Sequence, residues 1–362
     1  MSTTDITEKG LETLIMLHMA GVDGFFSDDT APAAETPDEI AAHLAGGSGW
    51  FAGNPKDFDK GHALDVPQLF QFLNSTQPDA LKKLGIANYR DAKDTNRQKF
   101  LARLSNEIGK RGVIDVIRKG VDHGPQHFDL FYGTPSPGNA KAAALYARNR
   151  FSVTRQLRYS TDETRRALDL CLFINGLPVS TFELKNSLTK QTVEDAVEQY
   201  RRDRDPREKM FEFGRCVVHF AVDDAEVRMC TELRGKASWF LPFNQGWNDG
   251  AGNPPNPAGL KTDYLWREIL TPEGLTDILE NCASMSRATT TPSGSNRKSW
   301  WTISTSRSWC STKSAARPAP CSCATASSGR SSITRRSRPI SPSARARIRP
   351  SLHFPASMSS AG

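Results

Sequence analysis

Three charged residues, Asp169, Glu183 and Lys185, stand in or beside the apolar runs of Ala167–Asn186. An isolated charge in such surroundings costs roughly several kcal/mol unless it is paired or binds metal. Glu183 and Lys185 are two apart, so in a strand both point to one face. Two carboxylates on that face, Asp169 and Glu183, suit Mg²⁺, a hard cation that takes oxygen ligands and retains waters. Such an ion acidifies water and neutralises charge on a phosphodiester, and a neighbouring lysine can orient the water. The competing reading is a surface hairpin with an ordinary Glu/Lys pair. A glycoside hydrolase using Asp169 and Glu183 as its paired acids is a third, but it gives Lys185 no role.

Positioning these residues requires a hairpin. Ala167–Ile174 and Leu177–Leu184 are apolar runs joined by Asn175-Gly176, a strong hairpin signal. A two-residue loop pairs Ile174 with Leu177 and sets Asp169 opposite Phe182, on the face away from Glu183. A three-residue loop with a bulge at Gly176 sets Asp169 opposite Thr181, on the face of Glu183. Both turns suit the sequence, and the chemistry needs the second.

The surrounding pattern supplies the rest of a sheet. Phe151, Val153, Leu157 and Tyr159 alternate with polar residues, as in a strand. Cys216–Val222 and Val227–Leu233 read as two more strands around a turn at 223–226. A helix begins after Thr192, which forms a capping box with Asp195, and Val193, Ala196, Val197 and Tyr200 form its apolar face. Helices are also expected over 7–20, 95–111 and 140–148, and from Pro272. Residues 27–62 and 244–261 read as loop. The order implies an α/β fold, a mixed sheet flanked by helices.

Composition divides the chain near residue 283. Residues 1–283 hold 34 Lys and Arg against 40 Asp and Glu, whereas residues 284–362 hold 13 basic residues and no acidic one. The net charge of +7 therefore does not describe the body, and is no argument for nucleic-acid binding. No segment approaches the roughly 18–20 apolar residues of a membrane span, and the first residues lack the basic and apolar regions of a signal peptide. Cys171, Cys216, Cys230 and Cys282 have no paired spacing; Cys171 and Cys216 sit in apolar strand-like runs and are expected to be buried free thiols, and a cytoplasmic location is expected.

Other polar groups have plainer readings. His123 and His127 are separated by Gly124-Pro125, which prevents one helix from presenting both. Asp223, Asp224 and Glu226 read as solvated turn residues. Arg201, Arg202 and Arg204 suit contact with DNA phosphates, or equally a solvated face interleaved with Asp203 and Asp205.

Asp-x13-Glu-x-Lys across a hairpin resembles the PD-(D/E)xK nuclease core. The segments TEKGLETLI, NRFSVTRQLRYS, LFINGLPVSTFELKNSLTKQTVEDAVEQYRRDRDP and the run from Phe213 to Leu270 resemble the N-terminal region of type I restriction enzyme R subunits. The resemblance covers about 7–283 and implies a restriction-endonuclease-like mixed sheet. It implies Asp169 and Glu183 as metal ligands, the Leu184 carbonyl as a further ligand, and Lys185 as the catalytic lysine. It also implies a Gln-x3-Tyr motif, of which Gln199 is present while Asp203 stands at the tyrosine position. Glu8 is the candidate accessory carboxylate on the first helix. Mg²⁺ is the implied cofactor and double-stranded DNA the implied substrate. Methyltransferase and specificity subunits are the implied partners. ATP would serve only the translocase of a full-length subunit, since no Gly-x4-Gly-Lys-Ser/Thr loop occurs in this chain.

Residues 284–362 hold 22 Ser, 8 Thr and 11 Arg without a usable apolar period, so no packed core is expected there. They read as an out-of-frame extension or as a disordered basic arm. Two functions follow for the chain: a Mg²⁺-dependent DNA endonuclease module without its motor, or a catalytically inert fragment that folds and docks on partner subunits or DNA.

Overall fold

Seven strands build the central sheet of the computed structural model, which describes residues 8–25, 47–86, 88–162, 166–287, 299–303 and 324–325. They are β1 (Phe51–Gly53), β2 (Phe151–Arg158), β3 (Ala167–Ile174), β4 (Leu177–Leu184), β5 (Val218–Val222), β6 (Val227–Cys230) and β7 (Leu241–Pro242). Their order across the sheet is their order in the chain. The pairs β1–β2 and β4–β5 are parallel and the others antiparallel, so the sheet is mixed, as expected.

Two apolar cores flank it. The larger gathers residues of α1 (Glu8–Ala20), α2 (Val66–Thr76), α3 (Thr95–Arg111), α4 (Val113–Lys119) and α6 (Pro272–Asp277), with Leu170, Leu172 and Ile174 of β3. The smaller gathers Val193, Ala196, Val197 and Tyr200 of α5 (Val193–Asp203), with Cys171 and Phe173 of β3. Cys171, Cys216, Cys230 and Cys282 are buried free thiols. No helix among the described residues is long and apolar enough to cross a membrane.

Helix ends follow local chemistry. Asp94 accepts hydrogen bonds from the Asn96 and Arg97 amides and starts α3 at the expected residue. The capping box of Thr192 and Asp195 starts α5. Thr7 lies outside the described residues. The loop reading of 27–62 missed β1, which is too short to show alternation, and residues 26–46 lie outside the described residues.

Asp223 also departs from expectation. It is not a solvated turn residue but is buried, and its carboxylate accepts the amides of Val193, Ala225 and Glu226 at 2.7 Å each. It thereby fastens the start of α5 to the β5–β6 turn, a favourable place for negative charge.

Beyond residue 283, the strands Ala283–Arg287, Ser299–Ile303 and Ala324–Thr325 form a separate antiparallel sheet. The other residues expected to lack a packed core lie outside the described residues.

Candidate active site

The hairpin turn is the two-residue form. Asn175 and Gly176 have φ of 50° and 80°, and Ile174 lies opposite Leu177. Left undisturbed, that register would turn Asp169 away from Glu183. The bulge required at Gly176 is absent, and another replaces it: Phe173 pairs with Pro178 but Leu172 with Ser180, so Val179 is the extra residue. Cys171 then faces Thr181 and Leu170 faces Phe182, which brings Asp169 level with Glu183. The reason lies partly in Pro178, which has no N–H to give a central strand and is tolerated at a bulge.

The bulge inverts the phase of β4. Before it, Leu177 and Val179 enter the larger core; after it, Phe182 and Leu184 do. Thr181 and Glu183 therefore turn toward α5, where the Thr181 hydroxyl meets the Tyr200 hydroxyl at 2.8 Å.

A second irregularity accompanies Asp169. Gln156 in β2 has φ 51°, an unusual strain for a non-glycine strand residue. Phe151 and Val153 enter the larger core, whereas Leu157 and Tyr159 enter the smaller one. The alternation read along this strand thus changes face at Gln156. Arg155 pairs with Leu170 and Leu157 with Leu168, so Gln156 lies beside Asp169. The Gln156 amide donates to Glu12 at 2.9 Å and to Asp169 at 3.5 Å. Asp169 also accepts the Leu184 amide at 2.7 Å.

The carboxylate that α1 brings here is Glu12, which the sequence reading missed. Glu12 is buried, and Arg155 binds it at 2.6 Å. Glu8 opens α1, but its side chain lies outside the described residues. A signal for Glu12 was present, since it sits beside the buried Leu11 and Ile15 at the margin of the apolar stripe.

Glu183 is fully buried and paired with Arg204, whose Nε donates to Oε1 at 2.6 Å. Burial works against the charge on Arg204, but attraction to Glu183 and their hydrogen bond outweigh it and raise the guanidinium's pKa. Burial, followed by the charge of Glu183, holds the Tyr200 phenol well above its ordinary pKa, so it stays protonated. Sequence reasoning sought a tyrosine at position 203, where Asp203 is exposed; the tyrosine that α5 brings to the site is Tyr200.

His219 lies behind Thr181, with Nδ1 and Oγ1 2.7 Å apart, and burial lowers its pKa from 6.5 to about 3. The unfolded chain therefore takes up a proton between those values that the fold rejects. The stabilising contribution of neutral His219 is complete above pH 6.5 and is lost as pH falls toward 3. Asp65, the cap of α2, behaves oppositely: burial, then the nearby charge of Asp57, raises its pKa from 3.8 to about 7. Its contribution is present below 3.8 and is lost as pH rises through 7. In the shared window the two slopes oppose. Asp65→Asn is expected to expose the His219 slope, losing about 2 kcal/mol between pH 6.5 and 5, with far less change in the wild type. Urea denaturation at the two pH values measures this; a variant as flat as the wild type rules the compensation out.

Lys185 directly follows β4, is 6% exposed, and is anchored by its amide to the Val222 carbonyl at 2.8 Å. Gln199 is half-buried on α5. Arg201 binds Glu198 at 3.0 Å and the Ser238 carbonyl at 3.3 Å, while the exposed Arg202 binds Glu198 at 2.8 Å. Both arginines expected to meet phosphates are thus paired with one acid, Glu198.

The donor set suits Mg²⁺, with hard oxygens from Asp169 and Glu183 and the Leu184 peptide between their strands. No group of three or more His, Cys, Asp or Glu side chains able to hold a metal occurs among the described residues, so an ion held by this pair would need carbonyl, water or phosphate oxygens as well. The alternative pair, His123 and His127, lies in a small hairpin where His127 instead binds Asp122 at 2.7 Å.

A family model described as the N terminus of type I restriction enzyme R proteins matches residues 57–238. That range contains Asp169, Glu183, Lys185, Gln199 and Arg204. No match was found among curated proteins.

Proposed function

Because this chain belongs to the type I restriction enzyme R protein N-terminal family, we propose that it is a Mg²⁺-dependent endonuclease module hydrolysing DNA phosphodiester bonds. The observation that supports this reading is the Val179 bulge, which turns Glu183 to the face of Asp169, whose carboxylate accepts the Leu184 amide at 2.7 Å. Asp169, Glu183 and the Leu184 carbonyl would hold the ion. When bound, it supplies positive charge against the scissile phosphate and acidifies water. Lys185 orients the attacking water and offsets negative charge developing on the phosphate. Gln199 supports that constellation from α5, and Arg201 and Arg202 meet phosphates beside the scissile bond. The substrate is double-stranded DNA, with methyltransferase and specificity subunits as partners and a cytoplasmic location. The acid-free composition of residues 284–362 supports reading them as an out-of-frame extension of a body ending near 283.

One observation favours the rival reading of a folded but inert fragment: Glu183 already holds an arginine. Calorimetry of Mg²⁺ binding separates the two. The wild type is expected to bind, and Asp169→Asn to lose binding at least tenfold with its circular dichroism unchanged. Equal affinity in both proteins would sink Asp169 as a ligand.

A further inference from the structure

We propose that Arg204 is the resident counter-cation of this site, fixing Glu183 in the metal-free protein and sharing that carboxylate with the divalent ion. The proposal rests on the metal reading above.

The argument starts from charge. Asp169 and Glu183 are 6% and 0% exposed and lie side by side across β3 and β4. Two buried carboxylates repel each other and forgo hydration, so the metal-free fold needs a compensating cation. Arg204 supplies it from just beyond α5, where the backbone has left the helix at φ −102° and ψ 99°. The residue is 3% exposed.

Its guanidinium is held on other sides as well. Nη2 donates to the Ala167 carbonyl at 2.8 Å and Nη1 to the Tyr159 hydroxyl at 3.3 Å. The guanidinium carbon lies 5.5 Å from the centre of the Tyr159 ring. These anchors do not involve Glu183, so the arginine stays when the carboxylate takes a second partner. Its fork presents several donors in a fixed plane and keeps its charge at any physiological pH. Arg204 is therefore a positioning residue: it orients Glu183 and, by charge repulsion, weakens cation binding.

Arg204→Met removes the charge and keeps much of the length. Without metal, this variant is expected to melt below the wild type, and Glu183→Gln added to it should recover part of the loss. Mg²⁺ should raise the variant's Tm more than that of the wild type, and calorimetry should show affinity tighter by on the order of tenfold. Arg204→Lys, which keeps the charge but not the fork, should show near wild-type affinity and covers the case where the Met variant fails to fold. A wild type that binds Mg²⁺, with unchanged affinity and Tm response in Arg204→Met, overturns the role of Arg204 alone. A folded wild type that binds neither Mg²⁺ nor Mn²⁺ overturns the metal reading, and the sharing of Glu183 with it.

Discussion

Glu183→Ala is expected to destabilise the domain by about 3–5 kcal/mol, the usual cost of stranding one member of a buried ion pair. Arg204 is the stranded partner. It is 3% exposed, and its remaining contacts, the Ala167 carbonyl and the Tyr159 hydroxyl, are neutral. Neither replaces the carboxylate at 2.6 Å. Glu183→Gln retains shape and an acceptor oxygen and should cost less. Chemical denaturation of the three proteins decides the matter; an alanine variant within about 1 kcal/mol of the wild type would mean that the guanidinium rehydrates easily. The result also governs how metal-binding data are read. Loss of Mg²⁺ binding in an unstable alanine variant would not identify a ligand, whereas loss in a folded glutamine variant would.

Lys185→Ala should leave Mg²⁺ binding in place while lowering DNA cleavage by roughly 10²–10³-fold, the scale for removing one group that stabilises developing charge. The assay is plasmid cleavage by a restriction assembly carrying the substitution. The backbone at Lys185 is fixed by its bond to Val222, and its ammonium, which cannot ligate a cation, lies on the residue two beyond Glu183. A pure loss of binding would appear as weaker Mg²⁺ or DNA affinity instead. Full cleavage by the variant removes Lys185 from the mechanism.

Some of this arrangement was legible because its causes are local. Asn175 and Gly176 predict a turn with two positive φ angles since asparagine and glycine tolerate that region best, and the turn has them. Thr192 and Asp195 predict the start of α5 because both partners of a capping box lie within four residues. The family resemblance was legible too, and the family match overlaps it over residues 57–238.

What the tertiary structure decided is the phase of each strand and the company of each charge. Alternation reveals the period of a strand but not where an extra residue inverts it, and a one-residue slip exchanges every side chain between faces. The Val179 bulge and the Gln156 face change are such inversions, and without the first Glu183 would point into the larger core. Ion pairs depend on chain segments that meet only after folding. Arg155 reaches Glu12 across 143 positions, and Arg204 reaches Glu183 across 21. Sequence alone determined that this chain carries two acids and a lysine on a hairpin; packing determined that the acids stand together and that an arginine already holds one of them, because desolvation makes a buried charge seek whatever partner the fold brings within reach.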